Sequence, residues 1–181
     1  MNLVFVEEHS RFASDSQVFT QEASHPKTVD VICALAVFIG ARIVVEAGTL
    51  AGQTSFALAQ ALNGAATGAH IWTADIRELP SESPTRTSLK SLLLENSVTF
   101  FHGDFLNMLG LVPGEIDLAY LDASLKDPTM RYTHYDAVWP KIRQGGLVIV
   151  DDCAADWASR FRDSANIYLP QNRGLAILQK T

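Results

Sequence analysis

The stretch "RIVVEAGTLAGQTSFALAQAL" (Arg42–Leu62) decides the fold. It opens as a short β-branched apolar strand, passes an acid and two glycines, and runs on as a helix candidate from Gln53 to Leu62. The turn places Glu46, Gly48 and Gly52 in the pattern E-x-G-x-x-x-G at a strand-to-helix junction. Glycine lets backbone come close to a ligand and tolerates positive φ. The helix that follows offers free N–H groups and a positive dipole end, which suit a carboxylate. Thr49 and Thr54 add hydroxyls to the same loop. Dinucleotide folds place a tighter G-x-G-x-x-G at this junction, and this loop departs from it.

Outward from the loop, the pattern repeats. "AHIWTAD" (69–75), "SVTFFHG" (97–103), "IDLAYLD" (116–122) and "GLVIVDD" (146–152) read as further strands, almost continuously apolar. Such runs fit parallel strands buried on both faces. Helix candidates Thr85–Glu95 and Thr129–Ile142, and a shorter one after Asp104, lie between them. A helix from about Pro26 to Gly40 precedes the first strand, and "NIYLP" and "LAILQK" read as a closing hairpin. The expected fold is α/β: a Rossmann-like, doubly wound, mostly parallel sheet with a C-terminal antiparallel hairpin and helices on both faces. We read residues 1–181 as one domain. Residues 1–40 form an N-terminal segment and helix, 41–152 a cofactor-binding core, and 153–181 a C-terminal helix and hairpin.

Composition narrows the partners. The net charge of −6 and the absence of a basic run argue against a nucleic-acid binder. The longest apolar stretch, Val29–Gly40, is about 12 residues, short of the roughly 20 that span a bilayer. Early acids Glu7 and Glu8 argue against a signal peptide. Cys33 and Cys153 are no disulfide framework, so a reducing cytoplasm is the expected compartment.

In an open parallel sheet, ligands bind beyond the carboxyl ends of the strands. Glu46, Asp75, Asp104, Asp122, Asp151 and Asp152 each close or follow a strand. Any one of them is commonly a cap or loop residue; together they outline a site. Glu46 suits the ammonium of a methionine moiety. Asp75, about 20 residues beyond the glycines, suits ribose hydroxyls. Gly103 and Asp104 border a base, or Asp104 caps a helix.

The Glu46–Thr54 loop, Asp75 and "GGLVIVDD" resemble class I S-adenosylmethionine-dependent methyltransferases across roughly residues 30–152. The stretch "YLDASLKDPTMRYTHYDAVWPKIRQGGLVIVDD" is similar to metal-dependent O-methyltransferases of the catechol type, and closer still to the macrocin-type sugar O-methyltransferases. The resemblance implies S-adenosyl-L-methionine as cofactor and a small hydroxylated acceptor. It also implies a divalent cation, Mg²⁺ or another, held by Asp122, Asp151 and Asp152. Three carboxylates at adjacent strand ends repel, and a hard cation relieves that repulsion. The other reading has Asp152 capping a helix and Asp151 lining the cofactor edge.

The pattern is not followed throughout. Ser124 stands where the sugar-type family has a second acid, and Lys126 where it has tyrosine. Catechol-type enzymes place a lysine base three residues after the metal acid, where Leu125 stands. Lys126 is then either the base or a solvated lysine, with Asp122 the other catalytic candidate. His134 reads as a surface or packing residue rather than a base, and Met130 and Trp139 read as core. Only about 25 residues precede the first helix, so the acceptor site is expected to be open or completed by a second copy in a homodimer. Competing readings are a non-catalytic cofactor-binding homologue or partner subunit, and an NAD-dependent oxidoreductase. A nucleic-acid methyltransferase would carry an Asn/Asp-Pro-Pro-Tyr motif after strand four, where "LDASL" stands.

Overall fold

A computed structural model describes residues 24–123, 129–153, 165–170 and 174–181. The C-terminal helix expected after residue 153 and the base candidate Lys126 lie outside the described residues. Seven strands form one sheet: β1 (Ile43–Ala47), β2 (His70–Asp75), β3 (Val98–His102), β4 (Ile116–Leu121), β5 (Ile142–Asp151), β6 (Ala165–Leu169) and β7 (Leu175–Gln179). Their order is β3-β2-β1-β4-β5-β7-β6. β1 to β5 run parallel, and β7 pairs antiparallel with both β5 and β6. The expected mostly parallel sheet with its closing hairpin is the fold observed. Strand order reverses between β1 and β4, and in such sheets the crevice for ligands opens at that reversal.

The continuous apolar strands are explained by two cores. On one face α1 (Pro26–Phe38) and α2 (Gln53–Gly64) pack Ile32, Cys33, Leu58 and Leu62 against Val44, Ile71, Leu118 and Ile149. On the other, α4 (Phe105–Leu109) and α5 (Thr129–Val138) pack Phe105, Met108, Tyr135 and Val138 against Val45, Ala119, Val148 and Val150. Neighbours Val44 and Val45 thus serve opposite cores, as the two-residue strand period requires.

Several elements end where local chemistry stops them. α1 starts with Pro26 after His25, whose Nδ1 accepts from the Lys27 N–H at 3.2 Å. α3 spans Pro84–Ser91, shorter than expected, because Leu93 turns to φ +58°. α5 gives way to a 3₁₀ turn, Trp139–Lys141, at Pro140. β5 begins earlier than expected, and its register against β4 shifts between Ile116 and Leu118. Gly145 at φ +75° absorbs that irregularity.

One acid marks the opposite end of the sheet. Asp117 Oδ2 accepts from the Arg42 and Ile43 N–H groups at 2.8 and 2.7 Å, and its Oδ1 meets Arg143 Nε. It ties β1, β4 and β5 together at the end remote from the crevice, which is a structural task.

Candidate cofactor and acceptor site

The crevice is a cleft of about 410 Å³, lined by the β1–α2 loop, the ends of β2 and β3, and α5. Gly48, Thr49, Leu50, Gln53 and Thr54 form its floor, with Asp75 on one wall and Gly103 and Asp104 beyond it. Gly48 has φ +103°, and a Cβ there would lie 2.8 Å from the Asp122 carbonyl oxygen. Only glycine lets the loop approach β4 so closely. Gly52, at φ +76°, is the N-cap of α2 but does not line the cleft. Its part is the turn itself.

Asp75 lines the cleft while bracing it. Oδ2 accepts from the Leu50 N–H and Oδ1 from the Arg77 N–H, both at 2.8 Å. Each oxygen keeps lone-pair capacity for a ligand hydroxyl. Asp104 fulfils both of its expected alternatives: it caps α4, accepting from the Leu106 N–H at 2.7 Å, and it lines the cleft. Ile76, exposed though apolar, stands at the same end.

Glu46 differs from expectation. It is 1% exposed and does not line the cleft, so it is not placed to meet an ammonium group. Its carboxylate turns inward, accepting from Ser55 Oγ and, at 2.6 Å, from Thr73 Oγ1. Thr73 in turn lies 2.6 Å from Thr49 Oγ1. Glu46 therefore fixes the loop from beneath. Burial pushes its pKa up to about 7, against the lowering effect of the Ser55 and Thr73 hydrogen bonds. Between the ordinary value of 4.5 and about 7, the folded chain holds a proton that the unfolded chain has released. The linked stability is complete below 4.5 and lost as pH rises through 7; at roughly 1.4 kcal/mol per pKa unit it amounts to about 3 kcal/mol. Glu46→Gln, which keeps the accepting oxygen, is therefore expected to lose less stability than the parent chain between pH 5 and 8. Melting curves across that range are expected to separate by about 5–10 °C.

At the end of β4 a second network appears that sequence reading missed. Ser24 Oγ donates to Asp122 Oδ2 at 2.8 Å. The Tyr120 hydroxyl lies 2.8 Å from Asp151 Oδ2, 3.1 Å from Asp122 Oδ2 and 2.8 Å from Ser24 Oγ. The two hydroxyls thus bridge the two carboxylates. Burial raises the Asp122 pKa, and the neighbouring Asp151 charge raises it further. Tyr120 is held well above its ordinary value by burial, then by the same two acids, and stays a phenol. Of the three acids implied by the resemblance, only Asp122 lines the cleft.

The three acids that the resemblance assigns to a cation each have protein partners. Asp122 and Asp151 are bridged by the Tyr120 hydroxyl, and Asp151 Oδ1 also accepts from the Asp152 N–H at 2.9 Å. Asp152 sits at φ +53° with its carboxylate on Arg131, 3.4 Å away. Among the described residues, no group of three His, Cys, Asp or Glu side chains is placed to hold a metal ion. The cause is local: two of the carboxylates have settled on a phenol and the third on a guanidinium.

α5 supplies further unanticipated residues. His134 is 2% exposed, packs its ring 4.8 Å from that of Phe105, and lines the cleft; its Nδ1 has no hydrogen-bond partner. Burial lowers its pKa, against the nearby Asp104, so the ring is neutral. Met130 lines the cleft as well, whereas Trp139 stacks on Tyr135 at 5.2 Å.

An open α/β sheet with a glycine loop at its reversal point and carboxylates on the cleft walls defines a nucleoside-binding, Rossmann-like protein. Residues 45–153 match the family described as a methyltransferase domain. The chain belongs to that methyltransferase family. Solved structures agree on the fold. A methyltransferase from Geobacter sulfurreducens superimposes with a TM-score of 0.72 at 18% identity, over 88% of this chain and 80% of that one. The O-methyltransferase of Bacillus cereus, solved with S-adenosylhomocysteine, gives 0.71 at 16%, over 90% and 84%. TomG, a Streptomyces achromogenes O-methyltransferase of tomaymycin synthesis solved with S-adenosylmethionine, gives 0.68 at 18%, over 88% and 82%. A search of curated protein sequences finds no match. No helix among the described residues is long and apolar enough to cross a membrane.

Proposed function

We propose that this protein is an S-adenosylmethionine-dependent O-methyltransferase acting on a small hydroxylated molecule. The observation that carries the reading is the Gly48 loop, which closes on the β4 backbone as only glycine allows and lines one cleft with Asp75, Asp104 and Asp122. Cofactor and cleft fit one another. The first turn of α2 takes the amino-acid end. Asp75 accepts from the ribose hydroxyls. Gly103, Asp104, Phe105 and Ile76 border the base. The cofactor, when bound, supplies a sulfonium methyl to an oxygen nucleophile. Asp122, standing at the cleft with a raised pKa, takes the proton of the acceptor hydroxyl near neutrality. The remaining contribution is alignment, since holding acceptor oxygen and methyl in line removes much of the barrier.

The test is methyl transfer from labelled S-adenosylmethionine to a panel of phenols, vicinal diols and sugars. Label on an acceptor oxygen supports the reading. Transfer to nitrogen or carbon acceptors instead would overturn its oxygen part.

A further inference from the structure

We propose that Arg131, by holding Asp152, keeps the three strand-end acids from gathering the divalent metal that the resemblance implies, so that the protein works without one. This rests on the methyltransferase reading above. The starting fact is a charge balance. Asp122, Asp151 and Asp152 bring three carboxylates to adjacent strand ends, and buried like charges need compensation. Two kinds are present. The Ser24 and Tyr120 hydroxyls serve Asp122 and Asp151. Arg131 serves Asp152.

Arg131 is built in, with 4% exposure. Its Nη1 donates to the Asp152 carbonyl oxygen and its Nη2 to Asp152 Oδ2, each at 3.4 Å. Clamping both main chain and side chain of one residue suits the fork of a guanidinium. The clamped residue has φ +53°, a conformation that costs about 1–3 kcal/mol outside glycine and persists only when its surroundings impose it. The clamp thus ties the Asp152 carboxylate to α5. A divalent cation needs several oxygens converging on one point, and this arrangement disperses them. The guanidinium Nε is buried without a hydrogen-bond partner, so the group is held here by its charge pairing with Asp152.

A consequence concerns the acceptor. With no metal to chelate a pair of oxygens, the acceptor is engaged through a single hydroxyl at the Asp122 end of the cleft. Arg131 acts through Asp152 and is a positioning residue.

The experiment titrates Mn²⁺ into the full chain saturated with S-adenosylhomocysteine and reads free Mn²⁺ by electron paramagnetic resonance. The parent chain is expected to take up no ion to about 1 mM, the weak end of oxygen-ligand sites. Saturable uptake of one ion below that concentration overturns the proposal. Arg131→Met, which removes the guanidinium from Asp152, is expected to gain Mn²⁺ uptake at least about tenfold tighter than any seen in the parent, a step of roughly 1.4 kcal/mol. A folded Arg131→Met that gains none overturns the assignment of Arg131 as the excluding cation. Arg131→Lys keeps the charge and is expected to take up no ion; uptake by it counts against the proposal even if the Met variant fails to fold. Failure of the parent chain to bind S-adenosylhomocysteine would overturn the methyltransferase reading instead, so the two failures are distinguishable.

Discussion

Replacing Gly48 by alanine is expected to abolish nucleoside binding. The residue sits at φ +103°, and its Cβ would come within 2.8 Å of the Asp122 carbonyl oxygen and 3.0 Å of its carbon. Both obstacles are backbone, so neither can swing aside. The loop must lift away from β4, carrying the Thr49 and Leu50 amides with it. Left-handed strain and overpacking each cost about 1–3 kcal/mol, so melting is expected to fall by about 5–15 °C. A loop displaced by about an ångström loses on the order of 10²-fold in a positioned contact, and calorimetry with S-adenosylhomocysteine is expected to register at least that. Gly64→Ala is the control. No atom lies within 4 Å of the added carbon, and the position closes α2. Alanine there is expected to leave affinity unchanged and to stabilise slightly.

Asp122→Asn separates chemistry from binding. The amide keeps the shape and an accepting oxygen for Ser24, while removing the group that takes the hydroxyl proton. Turnover is expected to fall by about 10²–10⁴-fold, the usual worth of a positioned base, with affinity for S-adenosylhomocysteine within about threefold. The pH profile adds a check. A carboxyl with a raised pKa is still protonated above the ordinary carboxylate range, so rate in the parent chain is expected to climb towards neutral pH. The Asn variant is expected to lose that limb. A variant that retains it would place the base elsewhere.

The sequence carried the architecture well because its signals are local. Strand runs such as "LVIV" (147–150) are apolar throughout since both faces are covered, and the E-x-G-x-x-x-G turn declares its junction through the glycines alone. The cleft walls were legible too: Asp75 and Asp104 follow their strands and line the space expected. What escaped is set by side chains that meet across the chain. Ser24 reaches Asp122 over 98 residues, and Arg131 meets Asp152 over 21. Glu46 shows the same limit at closer range. Its strand-end position suggests a ligand contact, but the hydroxyls of Ser55 and Thr73 turn its carboxylate into the core. An acid at a strand end declares its place; its direction depends on which donors the rest of the fold delivers.

That distinction bears on the metal. Aspartates placed by resemblance at three strand ends imply a cation, whereas in the proposal above Ser24, Tyr120 and Arg131 distribute their charges without one. The two strand-end acids that line the cleft at the nucleoside side, Asp75 and Asp104, are independent of that difference, so cofactor binding and metal dependence stand as separate questions.

Calorimetry of the full chain with S-adenosylhomocysteine and, separately, with NAD tests the central claim most directly. One equivalent of the homocysteine nucleoside is expected to bind in the micromolar range, with no heat from NAD. Binding of NAD in the absence of any binding by S-adenosylhomocysteine would contradict it.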